Sequence, residues 1–490
     1  MPYHLWQWSK HQRDTTPASA NESPLTSLYP GPNTSDSTSF GDWTAVILAA
    51  GRGTRMHSSL PKVLHPVAGI PMIRHVANAA RQAGFGRIVL VLSPDADGIA
   101  EAAGPDVVIA TQTEPLGTGH AAFAAHQAAE NSSHIAIING DLPLLTADTL
   151  LEIANTHLET GALLSFATTN LDDPTGYGRV RRNHDRVQAI VEETEADEAT
   201  RATSEVNVGI YVARASWLWS ALKALVPSTS GELYLTDIVA AAAADGEVAT
   251  YQLPDTSEAQ QVNDRIELAI AEMIMRDRVR EHLMLSGVTL LDPATTYIDA
   301  EVEIAGDTTI FPGVHLLGRT IIGSGCRIGP SAVLRDSAVG DRTEIGSSTI
   351  EGAQIGDDVS IGPYCHLRPE TVIERDVHLG NYVEVKASRI GQGTHIGHFS
   401  YVGDSQIGQA VNIGAGTVTA NYDGVLKHRT EIGDGAFIGV NSVLIAPVVV
   451  GTGASTGAGS VVTRDIPPEA QVLGVPARIR SDGGDETGAE

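Results

Sequence analysis

Between residues 322 and 462 an aliphatic side chain recurs about every six residues, most often with glycine directly after it. The series reads Ile322-Gly323, Ile328-Gly329, Val339-Gly340, Ile345-Gly346, Ile355-Gly356, Ile361-Gly362, Leu367, Ile373 and Leu379-Gly380. It continues through Ile390-Gly391, Ile396-Gly397, Val402-Gly403, Ile407-Gly408 and Ile413-Gly414, then Ile432-Gly433, Ile438-Gly439, Leu444 and Val450-Gly451. A period of six does not match the roughly 3.6-residue face of a helix. It predicts a coiled parallel β-solenoid, in which each short side points one aliphatic residue inward and the small residue after it turns the corner. One coil cannot bury its own apolar row, so stacked coils must supply the core. An antiparallel glycine-rich β protein would show period-two alternation, which does not dominate here.

Upstream the pattern changes. "TAVILAAG" from Thr44, "RIVLVL" (Arg87–Leu92) and "HIAIIN" (His134–Asn139) are short, continuously apolar strands, as in a parallel sheet covered on both faces. Helical stretches at residues 71–83 and 119–130 separate them, the rhythm of a doubly wound α/β domain over residues 44–262. "LDDPTGYGRV" at residues 171–180 is a turn-rich excursion. Residues 263–289 read as one linker helix ended by Gly287, with Ile266, Ile270, Met273 and Ile274 on one apolar face. The solenoid spans residues 290–470. Residues 1–43, rich in Ser, Thr, Pro and Asn, are expected to be a disordered extension, and residues 471–490 an acidic tail.

Composition narrows the options. The 490-residue chain carries 32 Lys+Arg against 59 Asp+Glu, a formal charge of −27. That balance argues against nucleic acid and anionic membrane as partners, and anionic ligands would need local cations or backbone amides. No apolar run approaches the roughly 18 residues of a membrane span. Cys326 and Cys365 form neither a disulfide framework nor a zinc pattern, which fits a reducing cytosol.

Chemistry first shows directly after the first strand, in "LAAGRGTRMHSSLPKVLH". Gly51 and Gly53 allow close backbone approach to phosphate oxygens, and Arg52, Arg55 and Lys62 add fixed positive charge. The loop is neither a Walker P-loop nor a Gly-x-Gly-x-x-Gly dinucleotide fingerprint. It resembles the signature of sugar-1-phosphate nucleotidyltransferases, a likeness strengthened by Gln112 with "LGTGHA", by "NGDLPLL" and by "DDPTGYGR". Together with the hexapeptide solenoid, residues 44–465 resemble the bifunctional N-acetylglucosamine-1-phosphate uridylyltransferase / glucosamine-1-phosphate N-acetyltransferase family.

The resemblance implies a Rossmann-like nucleotidyltransferase domain followed by a left-handed β-helix, in a cytoplasmic homotrimer. The product, UDP-N-acetylglucosamine, would be a precursor of peptidoglycan and other envelope polymers. At the first site the resemblance assigns Leu48, Ala49, Ala50, Gly51, Arg55 and Lys62 to the nucleotide and its phosphates. Gln112, Gly117 and Thr118 would read uracil. Gly178, Glu192 and Asn207 would hold the sugar and its N-acetyl group. Asp141 and Asn263 would bind Mg²⁺, with UTP and acetyl-CoA as co-substrates.

The solenoid also carries polar groups that packing does not require. No Ile-Gly step occurs between Ile413 and Ile432, so a loop should leave the coil near residues 421–430. The resemblance makes His398 the general base for acetyl transfer. Arg368 and Lys386 would clamp the sugar phosphate, Tyr401 and Asn412 would orient the sugar, and Glu384 would help orient the set. Ala415, Asn421, Tyr422 and Ala458 would contact substrate or the acetyl-CoA arm. Val440 and Gly474 depart from the family pattern, which usually has Ser and often Arg there, and the family's basic tail is absent. Arg478 or Arg480 could supply the lost charge. A monofunctional nucleotidyltransferase using its solenoid only to trimerise is the alternative, and the ordered polar set argues against it.

Overall fold

A computed structural model describes residues 40–51, 53–229 and 231–480. The first strand, β1 (Trp43–Leu48), is followed by a hairpin, β2 (Pro66–Val67) and β3 (Ile70–Pro71), and the helix Met72–Gln82. The strands β4 (Arg87–Leu92), β5 (Val107–Thr111), β6 (His134–Asn139), β7 (Leu164–Asn170), β8 (Arg179–Asn183), β9 (Arg186–Val191), β10 (Glu205–Arg214) and β11 (Val248–Gln252) complete the sheet. Its order is β11-β7-β10-β6-β1-β4-β5, with β8 and β9 attached beside β10. β1 pairs parallel with β4 and β6, whereas β10 runs antiparallel between β6 and β7. Alternate residues of β1 enter different cores: Ala45 and Ile47 on one face, Val46 on the other. That two-sided burial is why these strands lack polar alternation. The helix expected over residues 119–130 is split into Thr118–Ala124 and a 3-10 turn, Gln127–Ala129.

The solenoid consists of three sheets, of 12, 10 and 9 strands, parallel throughout except for the last pair of the 12-stranded sheet, which is antiparallel. Ile310, Ile328, Ile345, Ile361, Leu379, Ile396, Ile413 and Ile438 form one continuous inward row. Each such side chain, fully buried, contributes about 1.5–3 kcal/mol. Gly329 (φ +109°) and Gly362 (φ +100°) after them take left-handed backbone, whereas glycines such as Gly380, Gly414 and Gly439 serve close coil-to-coil approach. A Cβ on Gly380 would lie 1.8 Å from the Gly397 carbonyl oxygen. Other left-handed corners are held by residues such as Tyr364, Tyr382 and Phe399. Among the described residues no helix is long and apolar enough to cross a membrane.

Three expectations require correction. The extension expected over residues 1–43 ends sooner, because Phe40 and Trp43 are buried and pack against Phe85, so the folded domain begins by residue 40. The tail expected from residue 471 starts later: Gln471–Leu473 pairs parallel with Ser455–Thr456 and antiparallel with Arg478–Ile479, which extends the solenoid sheet through residue 479. The expectations for residues 1–39, for residues 481–490 and for Arg52 lie outside the described residues. The linker helix, Arg265–Leu285, does form, capped by Asp264, whose side chain accepts the Ile266 and Glu267 amides. Its expected apolar face is turned mostly outward, however: Ile266 is 73% and Met273 57% exposed, and of that face only Ile274 packs against the core. Ala271, Met275, Val279 and Leu283 face inward instead, because the β2–β3 hairpin and the first coils dock there. That hairpin is tied in by Glu272, which accepts the Ala68 amide at 2.5 Å, and by the Ala300 amide bonded to the Ala68 carbonyl at 2.9 Å. Arg276 joins Glu272 to Asp299. Val67, Ile70 and Met72 therefore share one core with the solenoid.

Candidate active sites

The first site lies at the carboxyl ends of the parallel strands, where open α/β sheets bind ligands. The loop after β1 is anchored through the Ala49 amide to the Val91 carbonyl and through the Gly140 amide to the Leu48 carbonyl. Gly53 has φ +58°, and a Cβ there would sit 2.6 Å from the Lys62 Cβ. Only glycine lets this loop close over Lys62. The Lys62 ammonium meets Asp141 Oδ2 at 2.5 Å and Asn263 Oδ1 at 3.0 Å. Asn263 reaches this spot because the Val262 amide donates to the Asp141 carbonyl at the foot of the linker helix. Asp141 Oδ1 is buried without a hydrogen-bond partner among the described residues.

A cleft of about 420 Å³ brings together Leu48, Ala49, Ala50, Gly51, Lys62, Gln112, Gly117, Thr118, Asp141 and Glu192. Gln112 Nε2 donates to the Gly117 carbonyl at 3.0 Å, which leaves its oxygen as the acceptor available to a base N–H. Burial, with Asp237, Glu195 and Glu232 nearby, raises the pKa of Glu192, while Thr236 donates to it at 2.7 Å. Gly178 and Asn207 stand behind Glu192, joined by the Asn207 amide to the Gly178 carbonyl. Arg55 is exposed on the turn Thr54–Met56 and does not line the cleft. Sequence reasoning missed Asn139, Glu232 and Tyr234, which do line it. Asn139 ends the β6 strand two residues before Asp141 and could have been found from that position. "GELYLTD" carries no comparable signal.

The second constellation occupies one corner of the solenoid and the face beside it. His398 Nδ1 lies 2.5 Å from Asn381 Oδ1, its neighbour one coil below. Above it the corner continues through Ala415, Val440 and Ala458. The Gly416 amide donates to the His398 carbonyl, Asn441 to Ala415 and Gly459 to Val440. On one adjoining face, Arg368 donates to Glu384 Oε1 at 3.1 Å, and Tyr401 pairs in register with Glu384. Asn421 Nδ2 bonds Asp404 Oδ2 and approaches the Tyr401 hydroxyl at 3.4 Å. Asn412 is on the other adjoining face, in register with His395 and Phe437. Within one chain, Asn412 and Tyr401 therefore flank the corner rather than share a surface.

The expected loop leaves the coil after Ala420 and returns at Thr430. Asp423 holds it together by accepting the Val425 and Leu426 amides and pairing with His428 at 2.6 Å, and these bonds lower its pKa. The loop carries Lys427, which the sequence did not single out. The Lys386 ammonium beside it holds the Lys427 amine below the usual lysine value. Two adjacent ammonium groups with Arg368 nearby suit a phosphate, which would relieve their repulsion. Lys427→Ala is expected to raise the KM for the phosphorylated sugar of acetyl transfer about tenfold, the loss of one charge-assisted contact. Steady-state kinetics varying that sugar will check this.

Fold and clefts define a nucleotidyltransferase joined to a hexapeptide-repeat transferase. The MobA-like NTP transferase domain family matches residues 45–207, and the bacterial transferase hexapeptide family matches residues 301–336, 352–387 and 429–464. The chain is 46% identical over 442 residues to the bifunctional protein GlmU of Geobacillus thermodenitrificans, covering 89% of this chain and 96% of that protein. It is 46% identical over 427 residues to the GlmU of Exiguobacterium sibiricum, covering 86% and 95%. The GlmU of Heliobacterium modesticaldum is 44% identical over 428 residues, covering 86% and 93%. The chain belongs to the GlmU family of bifunctional proteins. It is a bifunctional transferase, uridylyltransferase and acetyltransferase in one polypeptide.

Proposed function

We propose that residues 44–262, with Asn263, transfer UMP from UTP to N-acetylglucosamine 1-phosphate, and that residues 290–470 acetylate glucosamine 1-phosphate from acetyl-CoA. The observation that carries the first assignment is Lys62 held between Asp141 and Asn263 at the mouth of the cleft. Lys62 Nζ puts a cation between two oxygens, and Asp141 Oδ1 remains a buried acceptor without a partner among the described residues. Both features suit a hard divalent cation, and Mg²⁺ is commonly held by one or two protein oxygens with phosphates and water. Asp141 and Asn263 would hold it, and it would supply neutralisation of phosphate charge. The chain's own contribution is positioning. The loop Leu48–Gly51 offers backbone amides to the phosphates, Lys62 and Arg55 add charge, and Gln112, Gly117 and Thr118 receive the base. Gly178, Glu192 and Asn207 take the sugar, whose phosphate oxygen attacks the α-phosphorus in line as pyrophosphate leaves.

At the second site His398 accepts a proton from the sugar amine as its nitrogen attacks the acetyl carbonyl; the amide forms as the C–S bond breaks, and the CoA thiolate leaves and takes up the proton. Arg368, Lys386 and Lys427 hold the phosphate, and Tyr401, Asn412, Asn421 and Tyr422 position the sugar. Ala415 and Ala458 leave room for the acetyl-CoA arm along the corner. The division of Asn412 and Tyr401 between two faces supports a site completed by a neighbouring copy, and with the hexapeptide repeats we read the assembly as a homotrimer, placed in the cytoplasm by the family resemblance alone. Pyrophosphate release from UTP and N-acetylglucosamine 1-phosphate is expected to fall to background in EDTA and return with Mg²⁺, while acetyl transfer is unaffected. Release that persists in EDTA would refute the metal assignment.

A further inference from the structure

Arg179 opens β8 one residue after Gly178, and its side chain is only 2% exposed. Its Nη2 lies 2.7 Å from Glu193 Oε2 as an ion pair without hydrogen-bond geometry, and Nη1 donates to the Tyr177 carbonyl. A buried ion pair is weak support for a fold, since packed apolar residues of similar volume often do as well or better. The geometry offers another role. Tyr177 precedes Gly178 and Glu193 follows Glu192, so one guanidinium fork ties together the neighbours of two residues that face each other. A Cβ on Gly178 would lie 3.7 Å from Glu192 Oε2 and 2.8 Å from Ile190 Cγ2. Asn207 holds the Gly178 carbonyl from behind at 2.9 Å, and Thr236 holds Glu192 Oε1 at 2.7 Å.

We propose that Arg179 is a positioning residue for uridylyl transfer: its fork to Tyr177 and Glu193 fixes Gly178 and Glu192 at the spacing the sugar 1-phosphate needs. The inference rests on the assignment of Gly178, Glu192 and Asn207 to the sugar. Arg179 touches no substrate itself. Its loss should therefore weaken one substrate and spare the other, a split that general destabilisation does not produce.

The test uses the full-length protein with Arg179→Met, Arg179→Lys, the double variant Arg179→Met/Glu193→Leu, and Glu192→Gln. The KM values for N-acetylglucosamine 1-phosphate and UTP are measured separately, and acetyl transfer reports that the chain is folded. Arg179→Met should raise the sugar-phosphate KM about tenfold or more, with the UTP KM within about threefold and acetyl transfer unchanged. Arg179→Lys should be intermediate, because an ammonium can hold Glu193 but cannot fork to Tyr177. The double variant removes the unpaired Glu193 carboxylate, so it should recover thermal stability yet keep the raised KM. A double variant with the parent KM, or an equal rise in both KM values, would overturn the proposal. If Glu192→Gln leaves the sugar-phosphate KM unchanged, the sugar assignment itself fails. If Glu192→Gln raises it while the Arg179 variants do not, only the positioning role fails.

Discussion

His398→Ala should reduce acetyl transfer by about 10²–10⁴-fold, the usual contribution of a general base, and leave uridylyl transfer within about twofold. The Asn381 amide oxygen can only accept, so His398 Nδ1 carries the proton and Nε2 keeps a lone pair, which on the proposed assignment takes one from the sugar amine. The side chain is exposed at a solenoid corner, where removal costs little packing. A fall in acetyl transfer with an unchanged melting temperature is therefore a chemical effect. Asn381→Ala should give a smaller loss, because Nε2 survives but its tautomer and orientation are no longer fixed. Acetyl-CoA consumption with glucosamine 1-phosphate, beside pyrophosphate release with N-acetylglucosamine 1-phosphate, measures both activities on one preparation.

Asp141→Asn should do the reverse, lowering uridylyl transfer on the order of 10³-fold while acetyl transfer is retained. Among the described residues the carboxylate is the only anionic partner of the Lys62 ammonium, and both side chains are 14% exposed. Asparagine keeps the volume and one acceptor for Lys62, which avoids the larger cost of leaving a buried cation without any partner. It removes the negative charge on which the proposed cation site depends. Activity within tenfold of the parent would mean that charge neutralisation at the phosphates comes from elsewhere.

What could be seen in the chain beforehand followed from what each level of sequence encodes. The inward rows of the solenoid were legible because each hexad buries one aliphatic residue at a fixed interval. The α/β strands were legible because two-sided burial demands uninterrupted apolar runs. The linker helix was legible as a helix but not in its orientation. Ile266, Ile270 and Met273 and the buried series Ala271, Met275, Val279 and Leu283 both satisfy helical spacing, and only docking of the β2–β3 hairpin chose between them. The same limit holds at the sites. Lys62, Asp141 and Gln112 lie in local motifs, and the cleft brings them together. Tyr234 reaches the same cleft from a segment with no motif of its own. Lys427 joins Lys386 across one loop excursion, a pairing set by the coil stacking and invisible to local spacing. Arg179 looks like an ordinary strand residue until its burial is known.

On the proposed assignment one chain holds two independent active sites joined only by a diffusing sugar phosphate. Formation of UDP-N-acetylglucosamine from glucosamine 1-phosphate, acetyl-CoA, UTP and Mg²⁺ measures this most directly, with the His398→Ala and Asp141→Asn proteins assayed singly and mixed. Each variant alone should make almost no product, and the mixture should make it, because each supplies the step the other lacks. Product from His398→Ala alone, or none from the mixture of two folded proteins, would contradict the two-site account.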